Sequence, residues 1–90
     1  MINANLSEVN FEGTNMERAD LRGADLRRAD LDFANVKGIN LEGTNIEDSI
    51  WMDENIPKVL SQLQKAVFEH IIIQHVDGRE RIHRDKLFEL

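Results

Sequence analysis

The chain has 90 residues, enough for one domain with a modest core, no cysteine, and a net charge of −6. The absence of cysteine excludes disulfides and thiolate metal sites, and no stretch is apolar for long enough to span a membrane. Residues 1–50 hold ten acidic and five basic side chains (−5), against seven and six (−1) in residues 51–90, which argues against nucleic-acid binding through the first half.

In chain order, the first element is a repeat of five. The apolar residue at the centre of each pentad falls at Leu6, Phe11, Met16, Leu21, Leu26, Leu31, Val36, Leu41, Ile46 and Trp51. The residue before it is Asn or Asp from Asn5 to Asn45, and Ile50 breaks the rule. On an α-helix, five residues advance about 500°, so such side chains would spiral around the axis. On a flat strand, odd spacing sends alternate residues to opposite faces. The period works only if the backbone turns a corner once per pentad and every central side chain points into one interior. Internal repetition of this kind predicts a solenoid.

The pattern of small, Asn/Asp, Leu/Phe, polar, Gly/polar over residues 4–53 resembles the pentapeptide-repeat proteins. The resemblance implies an all-β solenoid, a right-handed quadrilateral β-helix with four pentads per coil, here about two and a half coils. The position two before the central residue is small at Ala4, Thr14, Ala19, Ala24, Ala29, Ala34, Thr44 and Ser49, and fits inward beside it. Val9 and Ile39 depart from this and are expected to widen or distort the bore. The Asn/Asp can hydrogen-bond the backbone across each corner. Gly13, Gly23, Gly38 and Gly43 fall at the fifth position, where positive φ is needed. Pentads ending in Arg18, Arg28, Phe33 or Asp48 need another corner or accept strain. Positions twenty apart place Glu17 beside Lys37, Arg22 beside Glu42 and Arg27 beside Glu47, with Glu8, Arg28 and Asp48 in one column. A spacing of fifteen brings like charges together, so the charges favour four pentads per coil.

So short a solenoid depends on cover at its ends, because about 1–2 kcal/mol per residue of backbone entropy outweighs the burial of ten side chains. Residues 54–90 are expected to supply a C-terminal helical cap, forming one compact domain with residues 1–53. Asp53-Glu54-Asn55 reads as a helix cap with Pro57 in the first turn. The stripe Ile56, Leu60, Leu63, Val67, Ile71 predicts a helix over 56–76 that Asp77-Gly78 ends, with a second short helix over 79–90. The alternative is a hairpin through Asp77-Gly78, because Ile71-Ile72-Ile73 is β-branched. Trp51 is expected beneath the cap as a core plug. The stripe is wider than the cap needs, so its excess at Phe68, Ile72 and Ile73 is a candidate self-association surface for a homodimer. No cap precedes Ala4, so either another molecule stacks there or the chain is part of a longer solenoid.

His70, His75 and His83 lack the spacing of a zinc pair and read as surface residues. The carboxylates follow the repeat and mark no catalytic pair. Arg79, Arg81, Arg84 and Lys86 alternate with Glu80, Asp85 and Glu89 and read as a solvated face. No catalytic, cofactor or metal site is expected. Glu12 and Asp32 stack on one face with Phe33 at the adjacent corner, a candidate protein-binding patch; the alternative is that the C-terminal segment covers Phe33.

The expected function is a non-enzymatic interaction or scaffold module with a protein partner, neither nucleic acid nor membrane. One alternative, implied by the resemblance, is a DNA-mimicking protector of a gyrase-type topoisomerase. Another is a targeting segment of a larger bacterial effector. The chain opens Met1-Ile2-Asn3-Ala4-Asn5, without the basic and apolar runs of a signal peptide, so a cytoplasmic location is expected.

Overall fold

A computed structural model describes residues 3–89. Its first half repeats one corner. In all nine pentads with Asn or Asp, that side chain accepts a hydrogen bond from the backbone N–H two residues on, from Asn5 with Ser7 to Asn45 with Glu47. The N–H of the next small residue donates to the central carbonyl, as Ala24 does to Leu21 at 2.9 Å. The fifth position has φ of +70° at Gly23, +61° at Arg18 and +59° at Phe33. Positive φ there is the signature of a type II turn. The non-glycine pentads therefore keep the same corner and carry left-handed strain.

Successive coils pair in parallel, twenty residues apart, from Asn5 opposite Asp25 to Asp25 opposite Asn45. The ladder bonds are short: Leu26 N–H donates to Asn45 O at 2.7 Å, and Asp25 N–H to Ala4 O at 2.8 Å. Strand β1 (Asp30–Leu31) pairs with β2 (Ile50–Met52) at the same offset. Four pentads thus make one coil. Leu21, Leu26, Leu31, Leu41, Ile46 and Trp51 are fully enclosed. Leu6 and Phe11, in the first coil, are only partly buried. Val9 is exposed at that end, whereas Ile39 is buried within the stack.

The C-terminal segment corrects the expected helix over 56–76. A 3-10 turn (Asp53–Asn55) leads into α1 (Ile56–Leu63), which ends there. The chain then returns to the ladder. Ile46 N–H donates to Val67 O and Asp48 N–H to His70 O, both at 2.9 Å. Strand β3 (His70–His75) pairs in parallel with β2, Ile50 opposite Ile72 and Trp51 opposite Ile73. The offset is now twenty-two residues. A two-residue Val76-Asp77 turn leads to β4 (Gly78–His83), antiparallel to β3, and then to α2 (Arg84–Leu87). The hairpin alternative is the one formed. Leu90, the expected end of the second helix, and residues 1–2 of the repeat segment lie outside the described residues.

The physical reason is the unpaired edge of the last repeat coil. Its N–H and C=O groups require partners, which a helix has none to offer. The β-branched run supplies them, with Ile71 and Ile73 buried and Ile72 half-buried in a period of two. The cap is therefore a short helix and a hairpin together. Helix α1 buries Val59 and Leu63 against the core.

Two side chains continue the ladder where the backbone leaves it. Within the repeats, Asn35 N–H donates to Thr14 O; one coil on, Asn55 Nδ2 donates to Ala34 O at 3.0 Å. Likewise Leu21 N–H donates to Asn40 O, whereas Leu41 N–H donates to Gln62 Oε1 at 3.0 Å. Arg84 fastens the end of α1: its guanidinium donates to the carbonyls of Leu63, Gln64 and Ala66 at 3.3, 2.7 and 3.1 Å. It also lies over Phe68 and Phe88, 4.7 and 5.2 Å from the ring centroids. Arg84 is thus a helix-end clamp, not part of a solvated face.

Candidate functional site

The repeat pattern fails at the corner after Trp51, and a recess forms there. Asp32 follows β1 at a fourth position, with its N–H bonded to Asp30 Oδ1 at 3.0 Å. Met52 occupies the matching position twenty residues on, lines the recess and is itself half-buried. The chain then diverts through Asp53 and Glu54 into the 3-10 turn, while β3 ends nearby at Gln74 and His75. These residues, with Phe33 and Val76 at the rim, enclose about 320 Å³.

The walls combine charge with apolar surface. Asp32 is 6% exposed, and among the described residues its Oδ1 has no hydrogen-bond partner. Phe33 is 63% exposed, so the C-terminal segment leaves the ring uncovered. Asp53 Oδ2 is 3.2 Å from His75 Nδ1, and His75 Nε2 is 3.1 Å from Glu80 Oε1. Glu80 first and Asp53 second raise the His75 pKa above its ordinary value. Asp53 and His75 also line a second, apolar cleft of about 330 Å³ with Ile56, Pro57, Ile73 and Ile82.

Of the predicted partner patch, Asp32 and Phe33 meet in the recess. Glu12 is exposed one coil away and does not line it. The predicted self-association surface is not presented. Phe68 and Ile73 are each 6% exposed and belong to the core, and Phe68 contacts Phe88 at 6.4 Å between centroids. Ile72 is half-buried in β3. The strand's period of two turns inward what a helical stripe would have left outside. Missed by the sequence reading were Asp53, Glu54 and His75, which come together only because the hairpin returns to the ladder. The pairing also places His70 against His83, edge to face at 5.0 Å, where isolated surface histidines were expected. Among the described residues, no group of three or more His, Asp or Glu could hold a metal ion.

The charged positions stack twenty residues apart as expected, with Arg22 close enough to Glu42 to feel its charge, but several side chains pair elsewhere. Arg28 does pair with Glu8, at 3.6 Å. Arg22 and Arg27 instead close on Asp20 and Asp25 of their own pentads, at 2.7 and 2.8 Å. Each fork is bidentate, because the corner already holds the carboxylate two residues away. The Arg22 hydrogen bond lowers Asp20 to a pKa of about 2, and Arg27 lowers Asp25 in the same way. Asp48, expected in the column with Arg28, is held by Arg81 at 2.8 Å.

The family model of pentapeptide repeats matches residues 4–46 in eight copies. No curated protein and no solved structure matches the chain. No helix among the described residues is long and apolar enough to cross a membrane. With nine Asx-bonded corners, a twenty-residue ladder offset and that match, residues 4–46 are a pentapeptide-repeat segment.

Proposed function

We propose that this protein is a non-enzymatic interaction module: a right-handed quadrilateral β-helix over residues 3–53, closed by residues 54–89, that holds a protein partner at the Asp32–Phe33 recess. Proteins of this family are generally non-enzymatic, and the inward column of the repeats is filled with Leu-type side chains. The observation that carries the reading is an exposed phenyl ring at the rim of a recess walled by Asp32, Asp53 and Glu54. Leaving that ring in water costs free energy, and contact with a partner would offset it.

A duplex-mimicking surface has less support, because Arg22 and Arg27 neutralise the carboxylates beside them on the outward face. The interaction reading is tested by photo-crosslinking in lysate of the source cells. A benzophenone side chain at position 33 is expected to give a discrete protein adduct that the same group at position 17 does not. The adduct is expected to disappear on Asp32→Asn. Equal adducts from both positions, or no loss on Asp32→Asn, overturn the reading.

A further inference from the structure

We infer that the open edge of the first coil pairs with the same edge of a second copy, giving a head-to-head dimer about a two-fold axis. In the second coil, Asp25, Asp30 and Asn35 are fully bonded toward the first. Their N–H groups donate to Ala4, Val9 and Thr14 O at 2.8, 3.0 and 2.9 Å. Their carbonyls accept from Leu6, Phe11 and Met16 N–H at 2.8, 2.7 and 2.8 Å. Asn5, Asn10 and Asn15 stand one coil earlier in the same ladders. Each is exposed, and among the described residues neither its backbone N–H nor its carbonyl has a partner. At this end Leu6 and Phe11 are only partly buried, and Val9 is 37% exposed. The edge therefore combines unpaired ladder groups with uncovered apolar side chains.

The pattern of open groups selects the occupant. Each of the three residues presents its N–H and its C=O on the same edge, and an antiparallel pair lets two facing residues exchange both bonds. A two-fold axis through the Asn10 side makes the facing strands antiparallel. It sets Asn10 against its own copy and Asn5 against Asn15 of the second copy. The coil climbs as it turns, so its edge is a ramp, and the two-fold matches that ramp to itself on every side. A single peptide strand satisfies one side only. The other end of the molecule does not serve, because β3, Asn55 Nδ2 and Gln62 Oε1 already take up the edge of the last repeat coil. The outermost strand there, β4, carries Arg79, Glu80 and Arg81. Association is thus isologous and closes at two. The axis brings the Glu12 corner over the Glu8 corner of the second copy; Arg28 holds Glu8 at 3.6 Å, and salt screens the remaining repulsion. Gly13 N–H donates to Asp32 O at 3.1 Å, so the Asp32–Phe33 recess stands one coil back from the edge and stays open in the dimer. The inference does not depend on what that recess holds.

The test is light scattering of the full chain over a concentration series in about 0.5 M salt, where that repulsion is screened. Amide hydrogen exchange is read by NMR on the same samples. The mass is expected to rise to twice 10.4 kDa and no further. The Asn5, Asn10 and Asn15 amides are expected to exchange about fivefold more slowly well above the midpoint concentration than well below it. Val9→Glu sets a carboxylate at the open end of each copy and is expected to raise the dissociation constant about tenfold or more. The wild-type exchange measurement decides whether or not that variant folds. A chain that stays monomeric up to about 1 mM overturns the inference. So does a mass that grows past the dimer, since head-to-tail stacking or strand addition does not close. A dimer whose formation leaves the three amides unchanged uses another surface and overturns it as well. A folded Val9→Glu that dimerises as tightly as wild type does the same.

Discussion

The repeat segment and the segment after Trp51 build the same ladder by different means. In residues 4–50 each pentad does the same job: the N–H of its small residue closes the corner, and its ladder groups pair across to the neighbouring coil because the chain returns every twenty residues. After Met52 nothing repeats. The next rung arrives twenty-two residues on, and Asn55 and Gln62 use side-chain amides where the repeats use backbone. A corner in the repeats is one of many; a capping contact in the second segment occurs once. The contrast teaches that a short repeat segment places its least replaceable residues at its end.

The largest expected effect lies where the two regions join. Trp51 is fully buried, its Nε1 donates to Ser49 Oγ at 2.7 Å, and its strand pairs with both β1 and β3. Trp51→Ala is expected to cost about 3–5 kcal/mol in urea unfolding. A loss below about 1 kcal/mol would show the segments to be less joined than their shared core implies.

Next comes a direct comparison of a capping amide with a repeating one. Asn55 is buried, so Asn55→Ala leaves Ala34 O without its donor and is expected to cost about 1–3 kcal/mol. Asn10 is exposed, so Asn10→Ala, which removes the Oδ1 bond to Glu12 N–H, is expected to cost about 0.5–1.5 kcal/mol. Equal costs would erase the distinction between the regions.

Smaller and opposite in sign is the relief of a strained corner. Arg18 has φ of +61°, where other pentads use glycine. Arg18→Gly is expected to stabilise by about 0.5–1 kcal/mol, left-handed relief being partly offset by added freedom in the unfolded chain. Destabilisation in chemical denaturation would mean that the Arg18 side chain matters more than its backbone.

The smallest effect is a pH dependence in the cap. Glu80 and Asp53 raise the His75 pKa above its ordinary 6.5. The raised folded pKa means that this contribution is fully present below about 6.5 and is lost as pH rises through the folded value. The stability difference between wild type and His75→Gln is therefore expected to be largest in mild acid and to shrink with rising pH. A difference independent of pH would show that the Asp53–His75–Glu80 contacts do not form in solution.

The sequence by itself determined the repeat segment. A period of five requires a corner in every pentad, so the inward Leu column and the Asx-bonded corners follow from residue identity and spacing, whereas the twenty-residue coil was implied by the family resemblance and favoured by the charges. It also placed Asp32 beside Phe33, because both belong to the repeat. Past Trp51 the local signals conflicted: Leu63, Val67 and Ile71 fit a helical stripe, while Ile71-Ile72-Ile73 fits a strand. Only the tertiary structure decided between them. The exposed edge of the last repeat coil demanded backbone partners, and that demand lies twenty-two residues away in sequence, beyond any local pattern. The same long-range pairing buried Phe68 and Ile73 and set Asp53, Glu54 and His75 around Asp32, which is why the recess itself could not be read from the chain.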